Sequence, residues 1–76
     1  MKELLEFIAR ELVDEPDAVE VTETEDDRGV LLTLHVAPDD MGKVIGRAGR
    51  AARAIRSVIR AAGTRAGVHA SVEIVD

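Results

Sequence analysis

The residues from Gly46 to Gly49 have the types and spacing of an anion-binding loop. Two glycines enclose Arg47 and Ala48, and glycine permits backbone conformations and close approaches that a side chain would block. The loop directly precedes a predicted helix, where the first N–H groups are unpaired and the helix dipole is positive. We therefore expect an anion of the phosphate type to lie against this turn.

Arginines recur along one side of the predicted helix. At about 100° per residue, four arginines fall within an arc of about 120°, and the apolar residues fall on the other side. These four, called the arginine stripe below, are Arg50, Arg53, Arg56 and Arg60, and they continue into Arg47 and Lys43. The apolar side comprises Ala51, Ala52, Ile55, Val58, Ile59 and Ala62. Guanidinium groups bind phosphates or carboxylates in bidentate geometry, so the stripe indicates an anion-binding surface, with a merely solvated helix face as the alternative.

The charge is divided along the chain. Residues 1–40 carry three basic residues and thirteen acidic ones, a net charge of -10. Residues 41–72 carry seven basic residues and no acidic one, and Glu73 and Asp76 bring the total to -5. An acidic, self-repelling domain with one basic block is typical of a localised anion-binding surface.

Length and composition limit the class of protein. A chain of 76 residues makes one domain without a large active-site cavity. The absence of cysteine excludes disulfides and thiolate zinc sites and favours a reducing compartment. No apolar stretch approaches the roughly 20 residues that span a bilayer, and Met1-Lys2-Glu3 leads into a charged helical pattern. We expect a cytoplasmic protein that does not enter a membrane.

Hydrophobic periodicity predicts three helices and three strands. Helical spacing covers residues 2–13, the short segment 41–45 and residues 50–62, and alternation covers 18–24, 30–36 and 68–74. Two helices between the second and third strands require a crossover, which makes those strands parallel. The prediction is an α+β fold of order α-β-β-α-α-β, a three-stranded mixed sheet with helices on one face.

Local details follow from the same pattern. The expected core side of the first helix is Leu4, Leu5, Ile8 and Leu12. The acidic cluster 25–29 is expected to form the hairpin turn. Asp39 and Asp40 are expected at a helix start, and Gly63 and Gly67 are expected to end the long helix.

The segment Val44-Ile45-Gly46-Arg47-Ala48-Gly49 resembles the KH domain, a module that binds RNA and single-stranded DNA. In that module a GXXG loop between two helices clamps the backbone of four nucleotides. The order of elements looks like the bacterial type II arrangement, a single domain over 1–76 with a core at 30–76 and an N-terminal extension at 1–29. The length and the run from Pro38 to Gly49 are similar to the small stand-alone bacterial KH proteins of the KhpA (YlqC) family.

The resemblance implies a function and a set of binding residues. Members of that family are cytoplasmic RNA-binding proteins or RNA chaperones linked to cell shape and division, and they self-associate or pair with a larger Jag-type KH protein. Carried over by position, the loop faces the nucleic-acid backbone, basic residues contact phosphate, and aliphatic residues form the core or groove floor. The loop is Gly46, Arg47, Ala48 and Gly49; the flanking phosphate contacts are Lys43 and Arg50; the aliphatic positions are Val44, Ile45 and Ile55. From the arginine stripe we add Arg53 to the expected RNA-binding residues. We expect single-stranded RNA as the partner and no cofactor, metal or small-molecule substrate.

Other chemistry finds little support in the sequence. The spacing of Gly42, Gly46 and Gly49 fits neither a P-loop nor a dinucleotide-binding motif. No nucleophile has an assigned base, so we expect no enzyme. His35 and His69 could share the outer sheet face, but no third metal ligand is identifiable.

A protein-interaction module is the second hypothesis from the sequence. If the helices cover one side of the sheet, the other side is open and could pair with another chain. That open face would carry Leu31, Thr33, His35, His69 and Ser71. The acidic first helix is a second candidate surface for such pairing.

Overall fold

Three α-helices and three strands follow one another in the predicted order. The computed structural model describes residues 1–76. The helices are α1 (Lys2–Leu12), α2 (Met41–Ile45) and α3 (Arg50–Arg65), and the strands are β1 (Glu20–Asp26), β2 (Gly29–His35) and β3 (Ala70–Val75). Single 3-10 turns occupy Pro16–Ala18, Pro38–Asp40 and Arg47–Gly49. The α+β class and the order α-β-β-α-α-β are confirmed.

The sheet is mixed, with β2 in the centre. β1 pairs with β2 antiparallel, and β2 pairs with β3 parallel, as the crossover through two helices requires. In the hairpin Asp26 lies opposite Gly29, so the turn consists of residues 27–28 alone. The predicted turn at 25–29 is therefore too long, because β1 continues through the acidic cluster to Asp26.

The core lies between the sheet and the helices. Alternate residues of β2, namely Val30, Leu32 and Leu34, are buried as the alternation predicts, and so is Val36 directly after the strand. On α1, the buried residues Leu5, Ala9 and Val13 are four residues apart and form the seam that packs on this layer. Leu4 and Leu12, expected in the core, are instead 37% and 40% exposed. They lie beside that seam on the helical wheel, outside the face that packs on the sheet.

The long helix α3 does not stop at its first glycine. It continues to Arg65, and Gly63 is buried within it. A Cβ atom at Gly63 would lie 2.7 Å from the Cβ of Ala70 and 2.9 Å from the carbonyl oxygen of Val68. Gly63 therefore serves the close approach of α3 to β3, and the prediction that it ends the helix is wrong.

Asp40 ties the segment after α1 to the start of α2. Its side chain is buried, and its carboxylate accepts hydrogen bonds from the N–H groups of Asp14 (3.2 Å) and Glu15 (3.0 Å). Asp40 is the N-cap residue of α2, at the helix start as predicted, and its side chain makes no capping bond to the helix. The buried carboxylate fixes the position of Asp14, whose own carboxylate lies 3.3 Å from Nζ of Lys43.

No helix of the chain combines the length and the apolar composition needed to cross a membrane.

Candidate nucleic-acid interface

The loop between α2 and α3 requires glycine at its first position. Gly46 has φ 75° and ψ 173°, a combination essentially restricted to glycine. A Cβ atom there would lie 2.7 Å from the Cβ of Ala51 and 2.8 Å from its backbone nitrogen. Ala48 (φ 56°) and Gly49 (φ 75°) are also left-handed. The loop is therefore a tight turn pressed against the first turn of α3.

The two residues between the loop glycines are exposed at the start of α3. The N–H of Gly46 bonds to the carbonyl of Gly42 at 2.9 Å, and that of Gly49 bonds to the carbonyl of Gly46 at 3.2 Å. Arg47 and Ala48 therefore lie open to solvent near the positive end of the α3 dipole, a position that suits an anionic oxygen.

The arginine stripe continues from this loop along the solvent side of α3. All four of its arginines are exposed, and none forms a salt bridge within the chain. The guanidinium of Arg53 lies beside the loop, since its Nη1 is 3.5 Å from the point that a Cβ atom on Gly49 would occupy. Lys43 differs from the arginines because its charge is partly neutralised by Asp14. Unpaired guanidinium groups can bind phosphate oxygens without first breaking an internal ion pair.

A groove runs beside the stripe, between α3 and β3. Its cavity of about 140 Å³ is lined by Arg56, Arg60, His69, Ala70, Ser71 and Val72. The Nε–H of Arg56 donates to the carbonyl oxygen of Val72 at 3.3 Å, so its side chain lies across this strand. Because β3 pairs only with β2, its outer edge keeps unpaired backbone donors and acceptors. The groove thus combines positive charge with a hydrogen-bonding strand edge.

His69 and Ser71 belong to a wall of this groove, a role that the sequence did not indicate. The pattern placed both on the open sheet face, and both also line a shallow cavity there with Thr24 and Leu31. The order of the elements could have located them. The last strand, which is parallel to its neighbour and lies next to α3, must present its outer edge to that helix.

The aliphatic positions of the predicted site lie mostly in the core. Val44 is fully buried and Ile55 is 3% exposed, while Ile45 is half-buried. Ile55 faces α1, on the side of α3 opposite the arginines. Val44 and Ile55 therefore pack on the core side of the loop and the helix. Of the three, only Ile45 has solvent-exposed surface beside the loop.

The two histidines do not form a common site. His35 lies opposite Val75, whereas His69 directly precedes Ala70, the partner of Val30. At about 3.3 Å per strand residue, this register puts them about 20 Å apart. No group of three histidine, cysteine or acidic residues could hold a metal ion.

Three features define a KH domain: the mixed sheet, the helix–turn–helix crossover and the GXXG turn with basic residues around it. The helix and strand before the core correspond to the type II arrangement. A family model described as "KhpA/KhpB, KH domain" matches residues 2–74. The chain belongs to this family.

Relatives from distant bacteria match over essentially the whole chain. A protein of Clostridium acetobutylicum is 53% identical over 75 residues, which is 99% of this chain and 100% of that protein. Proteins of Halalkalibacterium halodurans and Streptomyces coelicolor are 50% and 49% identical over 76 residues, with all of this chain and 100% and 92% of theirs covered. Each of the three bears the name RNA-binding protein KhpA.

Proposed function

We propose that this chain is a noncatalytic single-stranded RNA-binding domain of the cytoplasm. The observation that carries the proposal is the continuity of three features: the exposed centre of the glycine loop, the arginine stripe without salt bridges and the edge of β3 that has no neighbouring strand. The printed names of its relatives support RNA as the ligand. We assign contacts to Lys43, Gly46, Arg47, Ala48, Gly49, Arg50 and Arg53, with Ile45 beside them and with Val44 and Ile55 as support.

The loop is suited to hold the sugar-phosphate backbone. A phosphate oxygen at the turn would accept from the N–H groups of Arg47 and Ala48 and from the guanidinium groups of Arg50 and Arg53. Gly46 allows this approach because it carries no side chain. These contacts involve no base, so they fix the register of the RNA strand without selecting its nucleotide sequence.

The groove between α3 and β3 is suited to receive the bases. Their Watson–Crick edges would meet the unpaired backbone groups of β3, flanked by His69 and Ser71. Bases in a duplex already use those edges for pairing, and RNA recognition of this kind targets unpaired nucleotides. The groove is lined by no phenylalanine, tyrosine or tryptophan, so apart from the imidazole of His69 the bases would bind by hydrogen bonds and apolar contact.

The biological role that fits this site is that of an RNA chaperone or post-transcriptional regulator. A KH groove contacts about four nucleotides, so a single copy would bind weakly and release RNA readily. Two linked copies would gain affinity through effective concentration. Self-association or pairing with a larger Jag-type KH protein would supply the second copy, and a role in cell shape and division is consistent with the family resemblance.

The salt dependence of RNA binding tests the electrostatic part of the proposal. Fluorescence anisotropy with a short labelled single-stranded RNA should show log affinity falling by about 0.7 per log unit of salt for each phosphate neutralised. With about four phosphates, affinity should fall about 50-fold between 50 and 200 mM salt.

A matched pair of variants locates the contacts. Arg53→Ala should lower the affinity and reduce the salt slope by about 0.7, the share of one phosphate. Arg10→Ala removes the same charge from α1 and should leave both quantities unchanged. Salt-insensitive binding, or equal effects of the two variants, would contradict the proposed site.

A further inference from the structure

We propose, on the basis of the RNA-binding function above, that a cavity on the open face of the sheet binds a further unpaired nucleotide of the bound strand. The cavity, of about 280 Å³, lies where the hairpin of β1 and β2 meets the start of β3. We call it the hairpin cavity. The residues that line it include Thr24, Asp26, Arg28, Leu31, His69 and Ser71.

The hairpin cavity is continuous with the groove between α3 and β3. His69 and Ser71 line both, so the two spaces meet at the start of β3. The backbone of β2 fixes His69 there: the N–H of Val30 donates to its carbonyl oxygen at 2.8 Å, and a Cβ atom at Gly29 would overlap that oxygen. An RNA strand that follows the groove past His69 therefore reaches the open sheet face without leaving the protein surface.

Positive charge continues along the same path. Arg56 and Arg60 line the groove, and Arg28 lines the hairpin cavity. Arg28 is the only lysine or arginine between residues 11 and 42. The chain's one salt bridge joins Asp14 and Lys43, so the exposed guanidinium of Arg28 is available to a phosphate of the strand.

The hairpin cavity offers the contacts that a single nucleotide needs. Leu31 is 36% exposed and provides an apolar surface on which a base can lie. It is paired with Thr24 on one side and with Ser71 on the other, and paired residues project to the same face of a sheet. The two hydroxyl groups therefore flank the apolar surface. The volume is near the lower limit of small-molecule sites, which suits one nucleotide.

Asp26 indicates which bases the hairpin cavity accepts. Its carboxylate accepts the N–H of Arg28 at 2.7 Å, and this bond holds the turn. A carboxylate accepts hydrogen bonds and donates none. Adenine, cytosine and guanine each carry an amino group that can donate to it, whereas uracil carries none. We expect the cavity to favour a base with an amino group over uracil.

The rest of the open sheet face is less suited to RNA. Its other charged residues are Glu20 and Glu73, which lie opposite His35 and Thr33. Their carboxylates repel phosphate groups, so the bound strand should end at the hairpin cavity. The cavity thus extends the stretch of about four nucleotides that a KH groove contacts.

NMR titration of the ¹⁵N-labelled protein with oligoadenylates of four and six nucleotides tests the proposal. Both should shift the amide signals of the Gly46–Gly49 loop, and only the longer one should shift those of Thr24, Leu31 and Ser71. Affinity should rise about tenfold from four to six nucleotides, the effect of one added charge-assisted contact. Three possible registers of the longer RNA account for only about threefold. With oligouridylates of the same lengths, the rise should stay within about threefold.

A matched pair of variants locates the further nucleotide. Leu31→Glu places a carboxylate in the hairpin cavity and should reduce the rise to about threefold or less, with the affinity for four nucleotides unchanged. Thr22→Glu adds the same charge to the same sheet face outside the cavity and should keep the full rise. Both positions are exposed, so we expect folded proteins, which circular dichroism checks.

Arg28→Ala tests the phosphate contact. It should lower the salt slope of binding by about 0.7 for the longer RNA and leave the slope for the shorter RNA unchanged. An equal change for the two lengths would contradict the assignment of Arg28.

The shorter RNA separates this proposal from the RNA-binding function on which it rests. If four nucleotides shift the loop signals but six bring no further rise and no shift at Thr24, Leu31 and Ser71, the hairpin cavity is not an RNA site and the proposed function stands. Equal effects of Leu31→Glu and Thr22→Glu would also overturn the proposal. If neither RNA shifts the loop signals, the proposed function fails and the hairpin cavity with it.

Discussion

Replacing each loop glycine by alanine should have very different consequences at Gly46 and Gly49. Alanine at Gly46 would adopt φ 75° and ψ 173°, where strain costs about 1–3 kcal/mol for a residue with a side chain. Its Cβ would also overlap the backbone nitrogen and Cβ of Ala51, and overpacking of this kind costs about 1–3 kcal/mol more. Gly46→Ala should therefore destabilise the domain by about 3 kcal/mol or more.

Alanine at Gly49 should be tolerated better. Gly49 is in the ordinary left-handed region, with φ 75° and ψ 15°, where alanine costs about 1–2 kcal/mol. Its Cβ would meet only the tip of the Arg53 side chain, at 3.5 Å, and that side chain can move. The two variants should thus differ by about 2 kcal/mol, which is roughly 10 °C in Tm for a domain of this size.

Urea and thermal unfolding followed by circular dichroism at 222 nm measure the two stabilities, and anisotropy measures RNA affinity where both variants are folded. Both substitutions preserve every charge, so any loss of RNA binding reports the loop conformation. Gly46→Ala should lose more stability and more RNA affinity than Gly49→Ala. If the two variants agree within about 0.5 kcal/mol in stability and within twofold in affinity, the argument from the backbone angles is refuted.

Three further predictions concern packing, a buried carboxylate and an ion pair. Gly63→Ala should destabilise the domain by about 1–3 kcal/mol in urea unfolding because of its contacts with β3, whereas Gly42→Ala, with no neighbour within 4 Å, should stabilise it by about 0.5–1 kcal/mol; changes of the same sign would contradict this. Asp40→Asn should cost about 1–3 kcal/mol in the same assay, because one of the two N–H groups bound to the carboxylate loses its acceptor; an unchanged midpoint would contradict it. Asp14→Asn should raise RNA affinity about two- to fivefold at low salt by releasing Lys43, and the effect should vanish in a Lys43→Ala background; an equal gain in that background would contradict the role of the ion pair.

Features that depend on neighbouring residues could be predicted from the sequence. The alternation along β2 identified its buried face correctly, because residues two apart in a strand point to the same side. The helix–turn–helix around the GXXG sequence and the exposed arginines of α3 followed from helical periodicity. The parallel pairing of β2 and β3 followed from the crossover, which leaves no other simple arrangement.

Features that depend on distant contacts could not be predicted. Leu4 and Leu12 are as apolar as Leu5, so only the packing of α1 reveals which of them is buried. Asp40 bonds to residues 25 and 26 positions away, and no local pattern indicates such partners.

Gly63 shows the same limit for the helix boundary. Glycine often follows a helix, but here it lies inside one because α3 must approach Ala70 closely. The groove wall at His69 and Ser71 likewise depends on which edge of the sheet lies beside α3.

The most direct test of the central claim is RNA binding by a variant in which the loop charge is reversed. Arg47→Asp combined with Ala48→Asp leaves both glycines in place and puts two carboxylates where phosphate is proposed to bind. With both proteins shown to be folded by circular dichroism, wild type should bind labelled single-stranded RNA in anisotropy measurements and the double variant should not. Equal binding by the two proteins would contradict the claim that the Gly46–Gly49 loop holds the RNA backbone.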